Sequence, residues 1–231
     1  MKTLSHWQGR WPVALLGLAA LVLWDFSGLD LRLVRLYGDA SGFAWREAWL
    51  TRDVLHGGGR WLAGLVLAAM ALDAARPLCS GPSRKERAYG LGTVVVAMLV
   101  VSALKRFTRT SCPWDLVEFG GPATYLPHWL LGVRDGGPGH CFPSGHAVAA
   151  FGFFGLYLLW KPWRPRFARA VLVTVWVFGL AFGWAQMARG AHFASHTLWS
   201  AWLCWVTCRA AERGWRGADK PPAPKPAATA E

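Results

Sequence analysis

Residues 88–104 read Ala-Tyr-Gly-Leu-Gly-Thr-Val-Val-Val-Ala-Met-Leu-Val-Val-Ser-Ala-Leu, seventeen residues without a charge, and Lys105-Arg106 follow at once. This length approaches the roughly 20 residues that a helix needs to cross the hydrocarbon of a bilayer. Five further apolar runs surround it. The first is Trp11 to Trp24, extended past Asp25 to about Leu29, and the second is Trp61 to Ala75, which carries Asp73. The others are 144–160, 170–187 and 193–208. The alternative is a soluble bundle of buried helices, but six such runs exceed what the core of a 231-residue chain can bury. The expected fold is therefore all-α, a polytopic membrane protein built as a six-transmembrane-helix bundle over residues 1–216. Residues 217–231, with Lys220-Pro-Pro-Ala-Pro-Lys225-Pro, read as a disordered tail.

Composition agrees. Hydrophobic residues make up 54% of the chain and charged residues only 16%, against about 25% in an ordinary soluble domain. Disorder, collagen and a disulfide mini-protein are excluded. The formal net charge of +12 would suggest nucleic acid in a polar protein, but the cations sit where membrane topology requires them. The short loops 76–88 and 161–169 each carry four Lys or Arg, whereas the long loops 30–60 and 105–142 dilute theirs with carboxylates. The positive-inside rule then puts both termini in the cytoplasm. No small-residue cleavage site follows the first run, so it reads as an uncleaved helix. Within 30–60, the piece around Phe43, Ala44, Trp45, Trp49 and Leu50 reads as an interfacial amphipathic segment.

Three chemistry-bearing clusters fall on the extracytoplasmic side of this topology. They are Lys105-Arg106-Phe-Thr-Arg109-Thr-Ser-Cys112-Pro113, Cys141-Phe-Pro143-Ser144-Gly145-His146, and Gln186-Met-Ala-Arg189-Gly190-Ala-His192-Phe-Ala-Ser195-His196. Together they hold what phosphoryl transfer requires. Lys105, Arg109 and Arg189 can neutralise phosphate oxygens. Pro143 before a helix start leaves the amides of Ser144, Gly145 and His146 to face an anion. His146 and His192 can divide the roles of general acid and nucleophile.

At these residues the chain resembles the type 2 phosphatidic acid phosphatase superfamily, which also contains the vanadium haloperoxidases. Lys105 and Pro143-Ser144-Gly145-His146 match its first two motifs directly, and Gly190-Ala-His192-Phe-Ala-Ser195-His196 looks like the third. The resemblance implies a metal-independent lipid phosphatase without a cofactor. In it His192 attacks phosphorus, His146 protonates the leaving oxygen, and Lys105, Ser144, Gly145 and Arg189 hold the phosphate. It further implies a bacterial inner membrane, a site facing the periplasm, and a phosphorylated membrane lipid as substrate. Polyprenyl diphosphate, phosphatidylglycerol phosphate, phosphatidic acid and lipid A all qualify. A lipid-to-lipid phosphotransferase and a non-catalytic phosphate-binding protein are the alternatives.

Three positions depart from the pattern. Cys112 stands where an Arg is expected, Gln186 where the third motif has its Arg, and His196 where an Asp orients the nucleophile. Asp115, Glu118 and Asp135 are candidates for the missing negative charge, and Arg189, one turn on, for the missing positive one. Cys112 and Cys141 are the two cysteines outside the cytoplasm and bilayer. A bridge between them would tie the lysine end of the third run to Pro-Ser-Gly-His in an oxidising periplasm; the alternative is two unpaired thiols. The spacing of His192 and His196, with His140 and Cys141 nearby, also suits a metal. His6, His56 and His128 carry no signal in sequence.

Overall fold

A computed structural model describes residues 11–130 and 132–218. The chain is mostly helical. In order come α1 (Trp11–Phe26), α2 (Leu29–Val34), a two-stranded hairpin (β1, Gly38–Asp39; β2, Gly42–Phe43), a π-helix (Leu50–Gly58), α3 (Gly59–Ala75) and α4 (Arg84–Phe107). After a long irregular stretch come α5 (Val148–Phe151), α6 (Phe154–Trp160), α7 (Pro165–Ala188) and α8 (Ala194–Ala218).

Among the described residues three helices are long and apolar enough to cross a membrane: Leu50–Ala75, Arg84–Phe107 and Pro165–Ala188. Pro12–Phe26 and Val148–Trp160 are apolar but shorter. Two expectations need correction. Residues 50–60 are helical and not loop, so the second helix is 26 residues long. Arg52 and Asp53 interrupt the apolar signal there, and Gly57-Gly58-Gly59 mimics a linker. Arg52 instead pairs with Glu47 and Asp53 on the surface. The expected span 144–160 is not one helix: residues 144–147 form a turn, and α5 and α6 part at Gly152-Phe153. Gly217 and Ala218 still belong to α8, and the remainder of the expected tail lies outside the described residues.

Local chemistry explains the boundaries. Ser83 caps α4 by accepting from the Glu86 amide, while the Glu86 carboxylate accepts from the Ser83 amide. Pro165 opens α7 in its first turn, where a missing N–H costs nothing. The main core joins Val94, Ala97 and Val101 of α4 to Phe151, Phe154, Leu158 and Val175, and to Ala201, Cys204 and Cys208 of α8. Gly183 lets α7 and α8 close together, since a Cβ there would stand 2.3 Å from Thr197 Cγ2. Leu16, Leu23, Leu65, Leu99 and Val173 point outward, as apolar side chains do in a membrane protein.

One end of the bundle is tied by cations. Buried Arg87 pairs with Asp73, donates to the carbonyls of Pro82 and Cys79, and lies over the Trp160 ring. Arg164 donates to the Ser80 carbonyl at 3.0 Å, so the two cation-dense loops meet. The 24 residues of α4 carry the chain about 36 Å to the opposite end, where Lys105 stands.

Candidate active site

At that opposite end three separate stretches of chain converge. The exit of α4 is fastened to residues 140–142. His140 N donates to Thr108 O (3.1 Å), Cys141 N to Thr110 O (2.9 Å), and Thr108 Oγ1 to Phe142 O (2.6 Å). Cys112 and Cys141 are joined by a disulfide. Residues 143–146 are in turn fastened to α8: Ser144 N donates to His196 O at 3.1 Å, and Ser200 Oγ donates to Ser144 O at 2.9 Å. Lys105 reaches alongside Gly145, its Nζ 3.7 Å from where a Cβ would be.

The turn 189–193 links α7 to α8 and carries the third cluster. Gly190, at φ 74°, reverses the chain against the Phe43 ring, and its carbonyl accepts from Trp114 N at 2.9 Å. Arg189 Nε donates to Arg46 O at 2.8 Å. Past the turn, Asp30 holds the first residues of α8. Its carboxylate accepts from Ser195 N (2.9 Å), from Ser195 Oγ, and from Trp24 Nε1 (3.0 Å). A carboxylate at a helix N-terminus also faces the positive end of the dipole.

His192 is buried, with Nδ1 turned to His196 Nδ1 (3.4 Å) and near Cys141 Sγ (3.5 Å). Burial, and then the Lys105 charge, hold its imidazole well below the usual range, so it is neutral. His146 sits in the turn ahead of α5, and burial pushes it down to about 4. The Ser144–His196 hydrogen bond and the His192–His196 contact join the second cluster to the third, Lys105 lies against Gly145, and the Arg189 charge acts on His146. Lys105, Gly145, His146, Arg189, His192 and His196 thus come together. Ser144 Oγ is buried there with no hydrogen-bond partner among the described residues, the kind of orphan that a ligand oxygen satisfies.

Other expectations fare differently. The Ser144 amide is spent on His196, so it does not face an anion; only the Gly145 and His146 amides make no hydrogen bond to a described residue. With α5 only four residues long, its dipole adds little. Arg109 is exposed and makes no contact with the cluster among the described residues. None of the three proposed charge donors stands in for the missing Asp. Asp115 accepts from Cys112 N, Glu118 pairs with Arg35, and Asp135 accepts from Ser111 and Gly137. Asp25 lies 3.3 Å from His128, whose ring lies edge-on to His196.

Cys141, His192 and His196 bring their ligand atoms within 4.8 Å of one another. The disulfide removes the thiolate from that set, leaving two imidazoles, and His140 is exposed. The donors fit a metal poorly. Sequence reasoning also missed two members of the site. His56, on the π-helix, stacks on the His146 ring with centroids 4.3 Å apart, and Gln186 Nε2 meets His56 Nδ1 at 2.6 Å. The only hint was that Gln186 occupies the place of an expected Arg.

Lys105, the Pro-Ser-Gly-His turn and the His192 turn thus lie together at one end of the bundle. The family model of the PAP2 superfamily matches residues 88–216, more than half of the chain, and the protein belongs to that superfamily. Its members are typically phosphatases acting on phosphate esters. No curated protein and no solved structure is detectably similar.

Proposed function

We propose that the protein is a lipid phosphatase that cleaves a phosphate or diphosphate monoester through a phosphohistidine. The observation that carries this reading is the meeting of His146, His192, Lys105 and Arg189 at one end of the bundle, around the unpartnered Ser144 hydroxyl. His192, its Nδ1 proton donated to His196, attacks through Nε2. The N–P bond forms as the ester P–O bond breaks, and His146 gives its proton to the departing oxygen. Deprotonated His146 then takes a proton from the water that attacks the phosphohistidine, releasing phosphate. Without an anion both imidazoles are neutral; the charge of a bound phosphate dianion favours the proton on His146. Lys105, Arg189 and the Gly145 amide stabilise the phosphoryl oxygens, so no step requires a metal.

A lipid substrate is supported by an apolar groove of about 420 Å³ lined by Gly59, Val66, Phe153, Thr174, Phe178 and Phe182. It runs to the site, because the Phe182 ring lies 5.4 Å from that of His146. In this reading the apolar helices form a six-span bundle in a bacterial inner membrane. Both termini are cytoplasmic and the site faces the periplasm. The test is phosphate release by the purified protein from a panel of lipid phosphates, with and without chelator. His192→Ala is expected to lose at least about 1000-fold and His146→Ala about 100- to 10,000-fold. Full release by either variant defeats the mechanism, and sensitivity to chelator defeats its independence of metal.

A further inference from the structure

The π-helix Leu50–Gly58 lies outside every motif, yet two of its residues meet the His146 ring. The Leu55 carbonyl stands 3.1 Å from His146 Nε2, and a carbonyl only accepts, so Nε2 carries a proton. The next residue, His56, lays its ring on the His146 ring at 4.3 Å and 24°. Phe182 meets the third side. His56 is itself fixed from α7, since Gln186 Nε2 donates to its Nδ1 at 2.6 Å. That hydrogen bond sets the tautomer with Nδ1 as acceptor, which keeps His56 neutral. Nine-residue π-helices are rare, and π segments recur at functional sites.

We propose that His56 is a positioning residue for the general acid: it holds the His146 ring face-on, with Nε2 on the Leu55 carbonyl, while the leaving oxygen departs. Gln186, placed where relatives carry an arginine, serves this imidazole and not the phosphate. The inference rests on the phosphatase reading and goes beyond it by assigning a task to a segment outside residues 88–216.

Dependence on the leaving group separates this role from a structural one. An alkoxide needs a proton to leave, whereas a nitrophenolate leaves without one. The experiment measures kcat/KM of the full-length protein in detergent with dodecyl phosphate and with nitrophenyl phosphate. His56→Ala and His56→Asn are expected to lose roughly 10- to 100-fold on the alkyl ester and less than about threefold on the aryl ester. His56→Phe, which keeps a ring on His146, is expected to recover most of the alkyl rate, and its aryl rate reports an intact fold. Equal losses on both esters, no loss on either, or His56→Asn outperforming His56→Phe would each overturn the proposal. A wild-type protein that cleaves neither ester would overturn the phosphatase reading and this proposal with it. A wild-type protein active on both, with the variants losing equally, defeats only this proposal.

Discussion

Removing the Cys112–Cys141 bridge by the double substitution Cys112→Ala, Cys141→Ala should cost stability out of proportion to activity. The bridge spans a sequence separation of 29 residues. Closing a loop of that length in the unfolded chain removes entropy worth about 3.6 kcal/mol at room temperature. In a chain of this size that corresponds to an unfolding midpoint lower by roughly 7–14 °C. The folded geometry should survive, because three hydrogen bonds between residues 108–110 and 140–142 remain in place. Phosphate release below the midpoint should accordingly stay within about tenfold of wild type, the residual loss reflecting the contact of Cys141 with His192. The assay is thermal unfolding of purified protein in detergent, wild type with and without reductant beside the double variant. A midpoint unmoved by both the substitution and the reductant would refute the entropic argument. A complete loss of turnover in a still-folded variant would refute the claim that the hydrogen bonds suffice.

Three further outcomes follow from the geometry. Gly190→Ala places a Cβ 2.4 Å from the Phe43 ring at a φ of 74°, so a loss of about 2–4 kcal/mol is expected in denaturant or thermal unfolding, with phosphate release falling alongside. Asp30→Asn turns an amide donor toward Ser195 or Trp24, which should cost about 2–3 kcal/mol; an unchanged midpoint would deny Asp30 its role in starting α8. Stability should also fall with acidification. His192 and His146 are held below their unfolded value of 6.5, His146 at about 4, so unfolding takes up protons. The full contribution is present above pH 6.5 and declines below it by about 1.4 kcal/mol per pH unit for each histidine, levelling for His146 near pH 4. A midpoint that rises between pH 7.5 and pH 4.5 would contradict the buried, neutral state.

Much of the site was legible because its chemistry is local in sequence. Lys105 ends an uncharged run, and Ser144-Gly145-His146 and Arg189 to His196 are each short continuous segments. The helices Arg84–Phe107 and Pro165–Ala188 were likewise visible as unbroken apolar stretches. Residues 50–60 were not. Periodicity reads charges and glycines as loop, whereas here Arg52 finds Glu47 and Asp53 within its own neighbourhood and the glycines sit in a widened helical turn. The cost of a backbone hydrogen bond at Ser144 was equally invisible, since its partner lies 52 residues further on, at His196. His56 reaches Gln186 across 130 residues, and Asp30 reaches Ser195 across 165. Contacts at such separations leave no periodic trace. A composition or motif scan therefore finds the candidate groups and misses what holds them.

Those distant holders share an address. Asp30, the Arg46 carbonyl, Leu55 and His56 all precede residue 88, where the superfamily match begins. His146 and His192 lie within the matched part of the chain, and these four contacts reach them or their neighbours from the part before it. A chimera that grafts another member's leading segment onto residues 88–216 would keep both histidines and give them a foreign neighbourhood. A change of rate or preference in that chimera would then be traced to the residues before 88, much as one lock core behaves differently in another housing.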